Sequence, residues 1–153
     1  MSTDGASVTQ LLDLIGQGTY GAVYRGLYRG GTVAVKVLAL HPETAEPVRK
    51  EIAMMKACAC PHIVGYIDAF HQMLDGRRTL HVVMELAELG STLDIIRRRG
   101  SPLPEAVVAW VCLGVLNALH YMHTVPHAIH RDVKAANVLV MRDGSVKLAD
   151  LGV

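Results

Sequence analysis

Residues Ile15 to Leu38 read IGQGTYGAVYRGLYRGGTVAVKVL, and the fold turns on how this stretch divides. Gly16, Gly18 and Gly21 form a G-x-G-x-x-G run that leads into an apolar, β-branched segment. Glycines remove the Cβ atoms that keep a backbone away from phosphate oxygens, and they leave amide N–H groups to meet those oxygens. The pattern alone is weak, because a dinucleotide-binding βαβ unit uses it too. That unit needs a helix directly after the glycines and an acidic residue about 20 positions on. Here a strand follows, and Lys36 stands where the acid belongs. Ala22 to Tyr28, the pair Gly30-Gly31 and Thr32 to Leu40 then predict strand, two-residue turn and strand. Val33, Val35 and Val37 fall on one face of the last strand, with Ala34, Lys36 and Leu38 on the other. With Leu11 to Ile15 in front, this is an antiparallel three-stranded meander carrying a glycine flap.

Working outward, a helix is expected over Thr44 to Ala57, with Val48, Ile52 and Met55 on its apolar face. Glu51 lies about 40° from Met55 and about 60° from Val48 on the wheel, at the edge of that face. Strands follow over Ile67 to Phe70 and Thr79 to Met84, around a turn at Asp75-Gly76. Glu85 to Gly90 is a connector between a strand-rich front and a helical back. A short helix (Thr92 to Arg99) precedes a long one from Pro104, read as its first residue, to about His123. The long helix is apolar all round, which predicts burial on every side. A loop from Val125 to Asn137 and strands over Val138 to Met141 and Ser145 to Ala149 complete the chain.

The chain is 51% hydrophobic and 19% charged, with a formal net charge of +1. Such a balance gives no footing for nucleic-acid binding. Arg97, Arg98 and Arg99 form the one basic run and suit a solvated helix end. The apolar stretch Ala106 to Leu116 falls short of the roughly 20 residues a membrane span needs, so no membrane association is expected. Met1 to Asp4 are polar and lack the features of a secretory signal. With three cysteines, this predicts a reducing, cytoplasmic setting. Cys58 and Cys60 lack the second pair of a zinc site and read as small residues packed in a turn.

Five features carry chemistry. The glycine flap is the first. Lys36 is the second: it shares a strand face with small Ala34, which leaves room for a flat base while the ammonium reaches phosphates. Glu51 is the third, a carboxylate able to pair with Lys36. Taken singly, an exposed strand lysine and a helix-surface glutamate explain these two as well. The fourth is His130-Arg131-Asp132-Val133-Lys134-Ala135-Ala136-Asn137, where Asp132 can accept a proton or orient a hydroxyl and Asn137 offers magnesium a neutral oxygen. The fifth is Asp150-Leu151-Gly152, a carboxylate at a strand end. A lone loop aspartate is usually a cap or turn former. The five together, in this order, are more informative than any one.

In that order and spacing the motifs resemble the signature set of the protein kinases, from about Leu11 to Val153. The resemblance implies an α+β fold. A small lobe of five antiparallel strands and one helix (11–84) would follow a tail (1–10). A hinge (85–90) and an incomplete, mainly helical large lobe (91–153) would come next. It further implies ATP and Mg2+ as cofactors and a protein substrate with Ser or Thr hydroxyls. Gly16, Gln17, Gly18, Thr19, Tyr20, Gly21 and Ala22 would cover the phosphates. Ile15, Val23, Ala34 and Leu139 would sandwich the adenine. Met84 would be the gatekeeper, and Glu85 and Ala87 the hinge contacts. Lys36 and Glu51 would form the phosphate-orienting pair, Asp132 the catalytic base with Lys134 beside it, and Asn137 and Asp150 the magnesium ligands. Lys134 resembles the serine/threonine pattern, and the wording of both motifs resembles kinases upstream in MAP-kinase cascades. Arg131 resembles the arginine that pairs with a phosphorylated activation loop. Leu151 stands where the family has Phe. Because the sequence given stops at Val153, the resemblance implies part of a domain, prone to associate through exposed apolar large-lobe surface. The alternative is a non-catalytic module that binds nucleotide or a partner.

Overall fold

The structure, a computed structural model, describes residues 9–18, 21–39 and 45–151. Five antiparallel strands form one sheet: β1 (Gln10–Gly18), β2 (Gly21–Tyr28), β3 (Gly31–Ala39), β4 (Tyr66–Leu74) and β5 (Arg77–Met84). Their order across the sheet is β1-β2-β3-β5-β4. The β2–β3 hairpin forms where expected, but its turn residues are Arg29 and Gly30, one position earlier than Gly30-Gly31. Tyr28 pairs with Gly31, and Arg29 and Gly30 both have positive φ, 47° and 81°. A two-residue turn between right-twisted strands requires that pair of conformations. Arg29 is held there by its guanidinium, which stacks over the Tyr28 ring and pairs with Asp68. The β4–β5 turn repeats the geometry at Asp75 and Gly76, φ 49° and 75°.

Strand alternation sets the core. Tyr28, Val33, Val35, Val37 and Val83 are buried together, with Leu11, Tyr24, Phe70 and Leu74 packed against them. Each such side chain contributes about 1.5–3 kcal/mol on burial. Tyr28 stacks on Phe70, and Phe70 stacks on His81. His81 is fully buried. Its Nδ1 lies 2.7 Å from Thr9 Oγ1 and its Nε2 3.1 Å from Thr79 Oγ1. Thr9 N–H donates to Gln72 Oε1, so the segment before β1 is tied to β4 and β5 through polar groups buried beside an aromatic stack. These strands, within Met1–Glu46 and Tyr66–Leu86, make up one compact unit of the chain.

The second unit comprises Pro47–Gly65 and Ala87–Val153. Helix α1 (Ala45–Ala57) buries Val48 and Met55, as its periodicity predicts. Helix α2 (Thr92–Arg99) is closed by a reciprocal capping box between Ser91 and Asp94 and by Gly100 at φ 67°. Those hydrogen bonds from Ser91 hold the Asp94 carboxyl below the usual carboxylate range. A two-stranded sheet, β6 (Val138–Val140) with β7 (Val146–Leu148), follows helix α3 (Glu105–Thr124). Pro104 is the residue before α3 rather than its first residue. Cys58 is buried and donates its N–H to Met54 O at the end of α1, in keeping with a packed turn.

The expectation for α3 needs correcting. Only Gly114, Ala118 and Met122 are buried, a stripe at helical spacing. Trp110 is 57% exposed and Leu116 62%, and Val107, Val108 and Leu113 are exposed too. A helix of this kind packs along one stripe against β7, and the remaining apolar faces stay open among the described residues. By length and mean hydropathy of 1.4, α3 is also long and apolar enough to cross a membrane, which the shorter apolar run in the sequence did not suggest. Core helices of soluble domains meet the same criterion but are mostly buried, whereas α3 buries only its stripe against β7.

Burial holds the His81 imidazole below the usual histidine value. The unfolded chain takes up that proton near pH 6.5, the folded chain only lower. The unfolded state therefore binds more protons in the window below about 6.5, and stability should fall as pH drops through it, levelling once the folded form also protonates. Urea midpoints measured from about pH 7.5 to about 5 should show this decline, and His81→Gln should flatten it.

Candidate functional site

The first unit holds the glycine run, Lys36, and Ile15, Val23, Ala34, Met84 and Glu85. Pairing of β1 with β2 runs to Gly18 opposite Gly21, and Gly16 lies opposite Val23. Val23 in turn lies opposite Lys36, so flap, apolar wall and ammonium-bearing residue share one level across three strands. Ala34 is buried and pairs with Met84, itself buried at the end of β5. Ile15 is exposed and Val23 half-buried. Glu85 follows β5 in the same unit. Thr19 and Tyr20 lie outside the described residues.

The glycines of the flap separate into two kinds. A Cβ on Gly21 would stand 2.1 Å from Val37 O, so the pairing of β2 with β3 itself demands glycine there. A Cβ on Gly16 would meet only Val23 atoms, at 3.7 and 3.9 Å, which is ordinary contact. Among the described residues, no neighbour requires glycine at Gly16. The bare backbone there suits a close approach by something other than this chain, which is the property a phosphate-bearing ligand needs.

The second unit gathers the polar loop. His130 is buried; Asp132 N–H donates to its Nδ1 (3.2 Å), and its Nε2 donates to Ala149 O (2.9 Å). Those two partners assign the neutral, Nε2-protonated tautomer. Asn137 is buried at the end of a single 3-10 turn, Ala135–Asn137. Its Nδ2 donates to Asp132 O (2.9 Å) and Asp132 Oδ2 (3.0 Å). With the nitrogen turned to Asp132, the atom left for a cation is the amide oxygen, the donor type that magnesium takes. Lys134 Nζ lies 2.7 Å from Asp132 Oδ2. Both side chains of that pair are about half exposed, so its worth lies in orientation rather than stability. The Lys134 hydrogen bond is the largest cause holding the Asp132 carboxyl below the usual carboxylate range; desolvation opposes it, and the Asn137 hydrogen bond adds to it.

Ala149 N–H donates to Asn137 O at 2.8 Å. Its peptide therefore ties the residue preceding Asp150 to both Asn137 and His130. Arg131 and Asp150 have φ of 67° and 53°, left-handed conformations that cost non-glycine residues energy and cluster at functional sites. Leu151 is buried, so an apolar residue fits that position. Leu139 is half-buried on β6, whose pairing with Ser91 joins it to the start of α2. Thr92 Oγ1 donates to Ala135 O and steadies the 3-10 turn from the same side. Ala87 O accepts from Gly90 N–H (3.1 Å). Glu51 lies on the part of α1 that belongs to this second unit, whereas Lys36 belongs to the first.

Sequence reasoning named Asp132, Asn137 and Asp150 but missed His130, Thr92 and the Ala149 peptide that join them. His130 stood in the quoted motif, yet a histidine two residues before an aspartate carries no local sign of what its ring will reach. Among the described residues no group of three or more His, Cys, Asp and Glu side chains gathers as a cage for a metal. One carboxylate and one amide oxygen suit magnesium, which completes its shell with water and substrate phosphates.

The glycine contrast gives a paired prediction. Gly21→Ala should lose about 1–3 kcal/mol of stability through the clash with Val37 O. Gly16→Ala should stay within about 0.5 kcal/mol of the parent. Urea denaturation measures both. A comparison with models of known protein families matches residues 9–153 to the description "Protein kinase domain".

Proposed function

The chain belongs to the protein kinase domain family, and on that premise we propose that it binds Mg-ATP and transfers the γ-phosphate to serine or threonine hydroxyls of proteins. The observation that carries this reading is the set of polar contacts on Asp132, from Lys134 Nζ and Asn137 Nδ2. Lys134 beside the acid is the serine/threonine pattern, and the wording from His130 to Asn137 and from Val146 to Asp150 favours a kinase upstream in a MAP-kinase cascade. Free Cys58, Cys60 and Cys112 suit the reducing, cytoplasmic setting that goes with it.

Phosphoryl transfer asks for positioning and charge stabilisation more than for covalent chemistry from the protein. Mg-ATP supplies the phosphoryl group and the cation that neutralises its charge. In this reading the amides of Gly16 to Gly21 cover the phosphates and Lys36 binds them. Ile15, Val23 and Ala34 offer the adenine an apolar lining beside Met84, and Glu85 offers it backbone groups. Asn137 and Asp150 hold the magnesium through hard oxygens. Asp132 stays ionised throughout the physiological range, because its carboxyl is held low. Its part is to accept the hydrogen bond of the substrate hydroxyl and aim that oxygen, with the Lys134 ammonium beside it to offset negative charge. A second reading is a non-catalytic module that binds nucleotide or a partner, the latter drawing on the exposed apolar side chains of α3.

Phosphotransfer from γ-labelled ATP to a serine- and threonine-rich acceptor tests the proposal. Asp132→Asn should lower the rate by about 10²–10⁴-fold. Equal rates in parent and variant, or label on tyrosine alone, overturn it. A Mg-ATP-dependent rise in melting temperature without transfer supports the second reading.

A further inference from the structure

We propose that Gly114 is a positioning residue that sets the depth of β7 on α3 and, through β7, the placement of the magnesium ligands. The inference rests on the reading of Asn137 and Asp150 given above. α3 meets the β6–β7 hairpin along one stripe. Trp110 Nε1 donates to Gly144 O at 3.0 Å and grips the turn that opens into β7. One helical turn on, Gly114 is buried, and a Cβ there would stand 2.7 Å from Val146 Cβ and 2.9 Å from Val146 Cγ1. Ala118, fully buried, continues the stripe. Glycine inside a helix is unfavourable relative to alanine, so helix formation gives no reason for it at Gly114. The close approach of the strand does.

Beyond Val146 the strand has no slack. Leu148 N–H donates to His62 O (2.8 Å), Leu148 O accepts from Val64 N–H (3.0 Å), and Ala149 N–H donates to Asn137 O (2.8 Å). A side chain at Gly114 would have to push Val146 outward by several tenths of an ångström or more. The extended strand carries that shift to the Ala149 peptide, where Asn137 and His130 are attached and Asp150 follows. Displacements of about an ångström in positioning groups cost about a hundredfold in function.

The test compares the full chain with Gly114→Ala, the exchange Gly114→Ala/Val146→Gly, and Trp110→Phe. Hydrogen exchange of the Ala149 amide needs no ligand. Gly114→Ala should speed it by about tenfold or more, and the exchange of the methyl from strand to helix should restore it to within about threefold. Binding of Mn2+ in the presence of ATP, followed by electron paramagnetic resonance, should weaken about tenfold in Gly114→Ala, while metal-free ATP affinity stays within about twofold. A merely structural defect weakens both alike. Unchanged Ala149 exchange, unchanged Mn2+ affinity, or failure of the double variant to restore either, overturns the proposal. If Gly114→Ala does not fold, Trp110→Phe removes one hydrogen bond to the same hairpin without a clash. It should speed Ala149 exchange by about threefold, and no change overturns the proposal. Asp150→Asn is the reference for the metal arm. Parent Mn2+ binding that this variant leaves intact overturns the reading of the site, and the exchange arm then still decides whether Gly114 sets β7.

Discussion

The peptide of Ala149 is the constraint on which the second unit's polar loop depends. Its N–H reaches Asn137 O and its C=O accepts from the His130 ring. Each hydrogen bond contributes about 1 kcal/mol net, but a buried partner left unmade costs about 1–3 kcal/mol. His130 and Asn137 are both buried, so the loop between them has little freedom to rearrange. Asp132 is itself exposed, yet it is bracketed by those two anchors and takes its orientation from them. An exposed acid on a loop is ordinary. An exposed acid whose flanking groups are buried and hydrogen-bonded is a preorganised one, and preorganised polar groups act on charge without rearranging when it develops.

The first unit follows a different logic. Its stability lies in one apolar layer of valines and stacked aromatic rings, with His81, Thr9, Thr79 and Gln72 forming a polar seam beside it. The flap and Lys36 stand at the level where β1, β2 and β3 run side by side. The glycines there differ. Gly21 serves the strand pairing, whereas a Cβ at Gly16 would make only ordinary contact with Val23. One motif thus contains a glycine that the strand pairing requires and one that it does not, a difference that sequence spacing cannot show.

α3 joins the two themes of packing and position. Its inward stripe, Gly114, Ala118 and Met122, has its smallest residue where Val146 of the strand approaches. Its other faces carry Trp110, Leu113 and Leu116, exposed among the described residues. The apolar area a helix offers and the area its neighbours cover are separate quantities. Only the second is a property of the packed structure.

The strands, the helices and the order of the motifs were legible in the sequence because their causes are local. Alternation at Val33, Val35 and Val37 and the spacing of Val48 and Met55 follow from backbone periods of two and 3.6 residues. The strand signals after Gly21 were enough to exclude a βαβ reading. The tertiary structure decided what depends on residues far apart in the chain. Arg29 rather than Gly31 takes the turn because cross-strand register, and contacts with Tyr28 and Asp68, fix the pairing. α3 buries one stripe rather than its whole circumference because packing partners, not composition, set burial. Asp132, Asn137 and Asp150 could be named from their spacing. That they are joined through the Ala149 peptide, the His130 ring and the depth of β7 on Gly114 rests on distances between atoms, which no local pattern of residue types encodes.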